Sequence, residues 1–528
     1  MKSSLFILSR LTSSFVEREL TDRKINSFMI ILVVIFLVYA ILVQIPTASF
    51  FLDEGWYADT ANQLLYGKLL HRDVSVPYGP ITFYLYAASF VLFGKSFFFL
   101  RIVGLFIILL QGLFLFLITR LIIGNKIITI LSPIILFISL GMYQGDRITA
   151  STLAGLFTVI VLYLHIKYIY YGGNWRLFII GLFFGLSLLT KHNVFVLDII
   201  ANGTVIIYSS VEKYLKKQEI DWAYILLIPC GIIAILLVYV LCVNDYFEML
   251  LRDIMMDKFK YSSIAGIPYP KLSNLMRNLL RMKLGPVIWY LPFYSFFFLI
   301  FPVIKLVPIF SGTNQKDYPI LLILMVASVQ LFQLFPLSEY SHYSRATIVF
   351  PALIVLLLFL SIKKPSQISF YLTACALFMH LAPVLKAQPG VVLKALNSPP
   401  STLPYCDRIK RDRNEVVLLN LLKTINKNNN DKMLVVGHHE YLYFFSNKQR
   451  ITRQIVSPFY VFSNDDQKEI LEDIEKNDVQ LVIVGPELRP NADVDKLPLI
   501  NEYIHSHFRF IKAVGAYKVW ERFEKSNE

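Results

Sequence analysis

Long runs of apolar residues fill most of the chain up to about residue 385. The runs are about 17–25 residues long, the length that an α-helix needs to cross a hydrocarbon core roughly 30 Å thick. The pattern therefore predicts a polytopic α-helical membrane protein with about eleven transmembrane helices. The predicted spans are residues 28–45, 101–120, 127–143, 148–168, 176–190, 194–210, 221–243, 286–304, 318–337, 345–362 and 368–385.

One further apolar segment, residues 81–94, decides the topology. It has only 14 residues, which favours an interfacial or re-entrant helix over a span. If it does not cross and the N-terminus is cytoplasmic, every short inside loop carries at least two basic residues, as the positive-inside rule expects. If it did cross, each later loop would invert and the rule would fail. The outer face then receives residues 46–100, residues 244–285 and everything after about residue 386.

The chain changes character after residue 385. A proline-rich stretch indicates a linker, and helix-like and strand-like patterns then alternate, which is typical of a small α/β domain. We therefore divide the chain into a transmembrane domain (1–385) and a soluble extracytoplasmic α/β domain (386–528). The linker prolines are Pro389, Pro399, Pro400 and Pro404. The expected helices are 414–428 and 465–477, and the expected strands are 433–436, 479–484 and two within 510–520.

The net charge of +14 raises the question of a nucleic-acid partner. Residues 1–385 hold 30 Lys and Arg against 18 Asp and Glu, whereas residues 386–528 hold 21 against 19. The excess therefore lies beside the membrane spans, where basic residues orient helices and contact lipid headgroups. The distribution favours membrane lipids as partners and argues against nucleic acid. A charged fraction of 17%, against about 25% in soluble proteins, fits this interpretation.

Two adjacent carboxylates, Asp53 and Glu54, follow the first span. Carboxylates beside lipid are costly and call for an explanation. One interpretation is a helix cap with solvated loop acids. The other is a general base held at the membrane surface, with a divalent cation as an open alternative.

The segment after this pair is distinctive as a set. It contains Gly67, His71-Arg-Asp73, the turn Val76-Pro-Tyr-Gly-Pro80 and a Phe93-Gly94 junction ahead of Arg101. Together with the Asp-Glu pair, these elements resemble the first extracytoplasmic loop of the dolichyl-phosphate-mannose–protein mannosyltransferase superfamily. The superfamily includes bacterial relatives such as the aminoarabinose transferases, which are GT-C-fold enzymes that take sugars from polyprenyl monophosphates.

The resemblance implies roles for particular residues. Asp53 would be the catalytic base that accepts the proton of the acceptor hydroxyl, and Glu54 and Asp146 would support it or position a cation. A lipid phosphate leaving group would need Lys, Arg or His nearby, although each basic candidate could instead be an interfacial anchor. The predicted substrate-binding residues are His71, Arg72, Tyr78, Arg101, Arg147, Lys191, His192, His342, Tyr343 and Arg345.

Two other polar groups receive structural interpretations. The run His438-His-Glu440 follows an expected strand, and its adjacent histidines lack the i, i+4 spacing of helical zinc sites, so we expect no metal there. Asp198 and Asn202 lie within a predicted span. Intramembrane polar groups are functional suspects, but without an assignable partner we expect these two to pack between helices.

The leading hypothesis is a glycosyltransferase of the bacterial inner membrane, with its site facing outward. It would move a sugar from a polyprenyl-phosphate-linked donor to a hydroxyl of a lipid, glycan or protein, with inversion at the sugar carbon. The alternative is a transporter or flippase, which would require paired repeats, broken helices and ionisable groups deep in the spans. A scaffold that has lost activity is a third hypothesis, against which the intact carboxylates argue.

Overall fold

The computed structural model describes most of the chain. The described residues are 22–47, 52–140, 148–219, 221–243, 271–281, 284–306, 318–334, 346–363, 366–410, 414–427, 430–457, 461, 463–486 and 497–523. Five of the predicted site residues lie outside them, namely Asp146, Arg147, His342, Tyr343 and Arg345.

Helices make up nearly all of the described structure before residue 398. The first described helix begins at Asp22, continues through a π-helical turn (Ala40–Gln44) and ends in a short α-helical turn (Ile45–Thr47). The helices are α1 (Asp22–Tyr39), α2 (Leu52–Leu65), α3 (Ile81–Phe93), α4 (Phe97–Ile123), α5 (Lys126–Thr129), α6 (Leu131–Leu140), α7 (Ala150–Tyr171), α8 (Trp175–Leu188), α9 (His192–Leu215), α10 (Ala223–Val243), α11 (Leu272–Leu280), α12 (Leu284–Leu306), α13 (Tyr318–Gln330), α14 (Phe350–Lys363) and α15 (Gln367–Asn397).

The helical part is an integral membrane protein. Among the described residues, five helices are long and apolar enough to cross a membrane, namely α4, α7, α9, α10 and α15. Helix α10 leaves large apolar side chains uncovered, with Ile225 56%, Leu237 55% and Leu241 78% exposed. Such a surface is stable only against lipid or another apolar partner. The other apolar helices are shorter, with 10–17 residues, and the expected number of about eleven spans stays a prediction.

Two boundaries can be compared directly with the sequence pattern. The segment expected to be interfacial forms α3, a helix of 13 residues that packs against α2. The expected linker prolines were partly misassigned, because α15 continues to Asn397 and contains Pro389 within it. A proline inside a helix removes one backbone hydrogen bond, but it does not end α15.

The segment after α15 contains a mixed five-stranded sheet with strand order β2-β1-β3-β5-β4. Strand β1 pairs in parallel with β2 and β3, whereas β5 pairs antiparallel with β3 and β4. Strands β1 and β3 are almost wholly buried and fall on two of the expected strand segments. The elements are α16 (Glu415–Asn426), β1 (Lys432–Val436), α17 (Tyr441–Ser446), β2 (Gln449–Arg450), α18 (Asn464–Lys476), β3 (Leu481–Val484), α19 (Pro498–His507), β4 (Phe508–Val514) and β5 (Tyr517–Arg522).

The α/β segment packs directly on the loop that contains α2 and α3. Helix α17 crosses α2 at Gly55, where an added Cβ atom would lie 2.4 Å from the Cβ of Tyr441. Only a residue without a side chain allows the two backbones to approach this closely. Phe444 of α17 also stacks on Phe90 of α3, with ring centroids 5.4 Å apart. The close approach of Tyr441 to Gly55 places the α/β segment beside the first turn of α2.

Candidate active site

Helix α2 begins with the two carboxylates singled out in the sequence. Asp53 and Glu54 lie in its first turn, where unpaired backbone N–H groups and the helix dipole favour negative charge. Their environments differ sharply. The side chain of Asp53 is 49% exposed, whereas Glu54 is buried. Asp53 is therefore the member of the pair that a substrate can reach.

Glu54 is held inside the protein by Arg101, near the beginning of α4. The Arg101 Nε and Nη2 atoms donate to the two carboxylate oxygens at 3.0 and 2.7 Å, and Nη1 donates to the carbonyl oxygen of Ile45 at 2.8 Å. Only 1% of each charged side chain is exposed. This bidentate pair ties α2 to α4 and to the end of the first helix. Direct contact of Glu54 or Arg101 with substrate stays a prediction.

Asp53 faces a histidine from the α/β segment. The Nε2 atom of His438 lies 3.8 Å from Asp53 Oδ1, and its Nδ1 atom lies 2.9 Å from Glu440 Oε2. Burial alone would lower the pKa of His438, but the charges of Glu440 and Asp53 raise it to about 10. His438 is therefore an imidazolium at neutral pH, and it favours the ionised form of Asp53.

The turn at residues 76–80 brings a second predicted segment to the same region. The backbone N–H of Gly79 donates to the carbonyl oxygen of Thr190 at 3.2 Å, and a Cβ atom on Gly79 would lie 2.1 Å from the carbonyl oxygen of Leu189. Next along the chain, Lys191 is buried, and its Nζ atom donates to Ser151 Oγ at 2.5 Å. The turn and Lys191 were predicted separately, and the structure places their segments in contact.

Aromatic side chains connect this turn to α2. Tyr78 stacks on Tyr57 with ring centroids 6.3 Å apart, and Trp56 lies 6.0 Å from Tyr78 and 6.3 Å from the ring of His438. Trp56 and Tyr57 are buried, so these ring contacts pack the turn against α2. Tyr78 therefore lies beside the first turns of α2, and its contact with substrate stays a prediction.

The remaining predicted residues lie at different places. His71 is buried in a left-handed conformation with φ 65°, and its carbonyl oxygen accepts a hydrogen bond from Arg453 Nε at 3.0 Å. Arg72 lies at the surface, and its Nη2 atom is 2.6 Å from Asp73 Oδ2. His192 is the first residue of α9, directly after Lys191.

Although Asp146 and Arg147 are outside the described residues, the chain just after them reaches α2 and α3. The carbonyl oxygen of Ile148 accepts from the Tyr86 hydroxyl at 2.9 Å, and the Ala150 N–H lies 3.4 Å from the Tyr57 hydroxyl oxygen. The roles of Asp146 and Arg147 stay predictions.

His438 is the residue that sequence reasoning missed. In the sequence, the run His438-His-Glu440 is only a metal candidate, and its spacing favours a structural interpretation. Nothing local in the sequence indicates that α17 packs on α2, so the contact with Asp53 could not be derived. Within the part of the chain that the structure describes, no three His, Cys, Asp or Glu side chains converge to hold a metal ion, and a divalent cation stays a prediction.

Comparison with solved structures identifies the fold. ArnT from Cupriavidus metallidurans, solved bound to undecaprenyl phosphate, aligns over 95% of this chain and 99% of its own, with TM-score 0.50 and 11% identity. The oligosaccharyltransferase AglB from Archaeoglobus fulgidus, in complex with an inhibitory peptide and a dolichol-phosphate, aligns over 95% and 75%, with TM-score 0.50 and 12% identity. The apo form of the Archaeoglobus enzyme aligns over 97% and 76%, with TM-score 0.51 and 11% identity.

These likenesses define the class of fold. The chain has the GT-C fold of these membrane proteins, as the resemblance of its first outer loop implied. No protein-family model matches the chain, and no match was found among curated protein sequences. At 11–12% identity the likeness carries the architecture alone.

Proposed function

We propose that the protein is an inverting glycosyltransferase that moves a sugar from a polyprenyl-phosphate-linked donor to an acceptor hydroxyl. The observation that carries the proposal is the carboxylate of Asp53, which is half exposed at the beginning of α2 and lies 3.8 Å from the Nε2 atom of His438. The solved structures of the same fold include ArnT with undecaprenyl phosphate and AglB with dolichol-phosphate. We expect this site to lie on the extracytoplasmic side of the bacterial inner membrane, because the first outer loop is predicted to face that side.

In the proposed reaction, the acceptor oxygen forms a bond to the anomeric carbon while the bond from that carbon to the phosphate oxygen breaks. The acceptor proton passes to Asp53, and polyprenyl phosphate leaves with the bonding electrons. The transition state is oxocarbenium-like, so a carboxylate on the attacking side stabilises it. The positive charge of His438 lies beside the Asp53 carboxylate, and the Glu54–Arg101 pair holds the turn from which Asp53 projects.

The leaving phosphate needs positive charge on the other side of the sugar. Among the described residues, we favour Lys191 as the group that binds the leaving phosphate, because its segment contacts the turn that carries Tyr78. The other predicted candidates at this end are His192, Arg147, His342, Tyr343 and Arg345. Asp146 is predicted to support Asp53 or to position a cation. The acceptor is a lipid, glycan or protein that carries a hydroxyl.

The alternative function is a transporter or flippase. Its requirement for ionisable groups deep in the membrane points to Asp198, which is buried. Thr158 Oγ1 and Gln330 Nε2 donate to the two carboxylate oxygens of Asp198 at 2.7 and 2.5 Å. A carboxylate bonded in this way joins three helices, which favours the expected packing role over a transport site.

The test uses the purified protein in vesicles with a panel of polyprenyl-phosphate sugars and a membrane extract as acceptor. Mass spectrometry follows the release of free polyprenyl phosphate, and NMR gives the anomeric configuration of the product. We expect release with inversion, and we expect Lys191→Gln to slow it while the exposed control Lys468→Gln does not. Movement of intact donor across the bilayer without phosphate release would support the transporter instead.

A further inference from the structure

A polar cavity of about 450 Å³ lies where four helices of the membrane domain end or begin. Its walls come from the last turns of α7 and α9, the segment before α10 and the beginning of α13. Helix α7 reaches α2 at its other end, where the Ala150 N–H lies 3.4 Å from the Tyr57 hydroxyl oxygen. Tyr168 in the cavity wall is near the end of α7, roughly 27 Å from Ala150 for a rise of 1.5 Å per residue. The cavity is therefore remote from Asp53.

The predicted topology assigns this end of the bundle to the cytoplasmic side. The segments that follow α7 and α9 carry Arg176, Lys216 and Lys217, as the positive-inside rule expects of inner loops. Tyrosine rings supply much of the cavity wall, and tyrosine is enriched where a membrane meets water. The cavity is therefore at the expected level of the inner-leaflet headgroups. The wall tyrosines are Tyr168, Tyr170, Tyr224 and Tyr318.

The cavity wall contains a carboxylate that no described cation compensates. Asp221 lines the cavity just before α10 and is half-buried. Its Oδ2 atom accepts a hydrogen bond from the Tyr168 hydroxyl, and its Oδ1 atom accepts one from the Ala223 N–H at 3.1 Å. Both donors are neutral, and Asp221 makes no ion pair with any residue that the structure describes. The negative charge of this carboxylate is therefore uncompensated in the cavity.

The same wall contains an ammonium group without a described counter-charge. Lys213, in the last turn of α9, is half-buried and lines the cavity. Within the described part of the chain its Nζ atom makes no hydrogen bond or ion pair, so it is not paired with Asp221. The neighbouring Glu212 and Lys216 bond to each other at 2.5 Å and compensate their own charges. The cavity therefore presents one negative and one positive group that are separate from each other.

We propose that the cavity binds a zwitterion, the phosphoethanolamine group of an ethanolamine phospholipid. The ammonium group would bind Asp221 beside the rings of Tyr168 and Tyr224, whose centroids are 5.0 Å apart, because carboxylates and aromatic faces both attract ammonium. Lys213 would bind the phosphate. A ligand with a single charge would compensate only one of the two groups, whereas this zwitterion compensates both.

The surroundings of the cavity favour a lipid as the source of this group. Trp222 and Ile225, which are neighbours of Asp221 and Tyr224 in the chain, are 62% and 56% exposed, and acyl chains would cover such apolar side chains. The cavity volume is within the range of small-molecule sites, so it accommodates the headgroup. Binding here is remote from Asp53 and does not depend on the proposed sugar transfer.

The test measures binding to the delipidated full-length protein in detergent by native mass spectrometry. The probes are dioleoyl phosphatidylethanolamine, dioleoyl phosphatidylglycerol, which lacks the ammonium group, and soluble phosphoethanolamine. We expect the ethanolamine lipid to bind at least about tenfold more tightly than the glycerol lipid. Equal binding of the two lipids would overturn the proposal. Binding of soluble phosphoethanolamine as tightly as the lipid would support the charge recognition and overturn the lipid as its source.

Two variants with matched controls assign the binding to this cavity. Asp221→Asn keeps the turn before α10, because asparagine accepts the same backbone hydrogen bond. It should weaken binding of the ethanolamine lipid by about tenfold to a hundredfold and leave the glycerol lipid unchanged, a difference that damage to the fold would not produce.

Lys213→Gln should weaken binding of both lipids, because both carry the phosphate. The controls Glu219→Gln and Lys217→Gln change exposed side chains nearby and should bind both lipids as the wild type does. Unchanged binding in both cavity variants, or an equal loss for the two lipids in Asp221→Asn, would refute the assignment.

Discussion

The buried pair of Glu54 and Arg101 gives the most quantitative prediction. Both side chains are only 1% exposed, and two hydrogen bonds of 3.0 and 2.7 Å join them. Removing one partner of such a pair leaves an uncompensated buried charge and costs about 3–5 kcal/mol. Replacing both partners with apolar residues of similar volume is often neutral. We therefore expect Glu54→Met and Arg101→Met each to lower the free energy of unfolding by that amount.

The double variant, which combines Glu54→Met with Arg101→Met, is the decisive protein in this series. Arg101 also donates to the carbonyl oxygen of Ile45, so its loss leaves one acceptor unsatisfied, at a cost of about 1–3 kcal/mol. The double variant should therefore be less stable than the wild type by about that amount, and more stable than either single variant. Unfolding in mixed micelles can be followed by tryptophan fluorescence. A double variant as unstable as the sum of the single ones would refute the coupling.

Measuring the turnover of the same variants distinguishes a structural role of Glu54 from a role in the chemistry. Because neither charged side chain reaches the surface of the site, we expect turnover to follow stability, so that the double variant retains more turnover than either single variant. A stable double variant without turnover would contradict this expectation and would assign chemistry to the Glu54 carboxylate. The control Asp465→Asn changes a side chain that is 90% exposed, and it should change stability by less than about 0.5 kcal/mol.

Further predictions concern the contacts that build the site. The pKa of His438 is raised to about 10, so its stabilising contribution is complete below about pH 6.5 and is lost as the pH rises towards 10; the melting temperature should fall over this interval more in wild type than in His438→Gln. Gly55→Ala places a Cβ atom 2.4 Å from that of Tyr441 and should cost about 1–3 kcal/mol, with faster proteolysis of the α/β segment. Gly79→Ala meets a carbonyl oxygen at 2.1 Å and should reduce turnover and melting temperature together. Gly203→Ala has nothing within 4 Å, and equal damage in this control would contradict the steric argument.

The sequence pattern carried much of the architecture because lipid imposes a simple length rule on apolar helices. It placed α4, α7, α9 and α10 within a few residues of their observed bounds. It failed at α15, where Pro389 was taken for a linker signal. A proline costs a helix about 3 kcal/mol. In α15 this penalty is outweighed, so Pro389 does not end the helix although it favours a helix break locally.

The sequence also predicted only part of the candidate site. The pairing of carboxylates at Asp53 and Glu54 was visible because two acids beside a span are unusual. Their partners were not visible, because Arg101 lies 47 positions from Glu54 and His438 belongs to a different part of the chain. Only tertiary packing, through the close approach at Gly55, brings His438 to Asp53. Contacts between distant segments are not encoded in any local pattern.

The central claim, that Asp53 is the base of a lipid-linked sugar transfer, is tested most directly by comparing donor binding and donor turnover for Asp53→Asn in the same vesicles. Asparagine keeps the size of the side chain but cannot accept the proton, and general-base catalysis contributes about 10²–10⁴-fold. We predict that the variant binds the polyprenyl-phosphate sugar as the wild type does and loses turnover by about that factor. Turnover at the wild-type rate by Asp53→Asn would contradict the account.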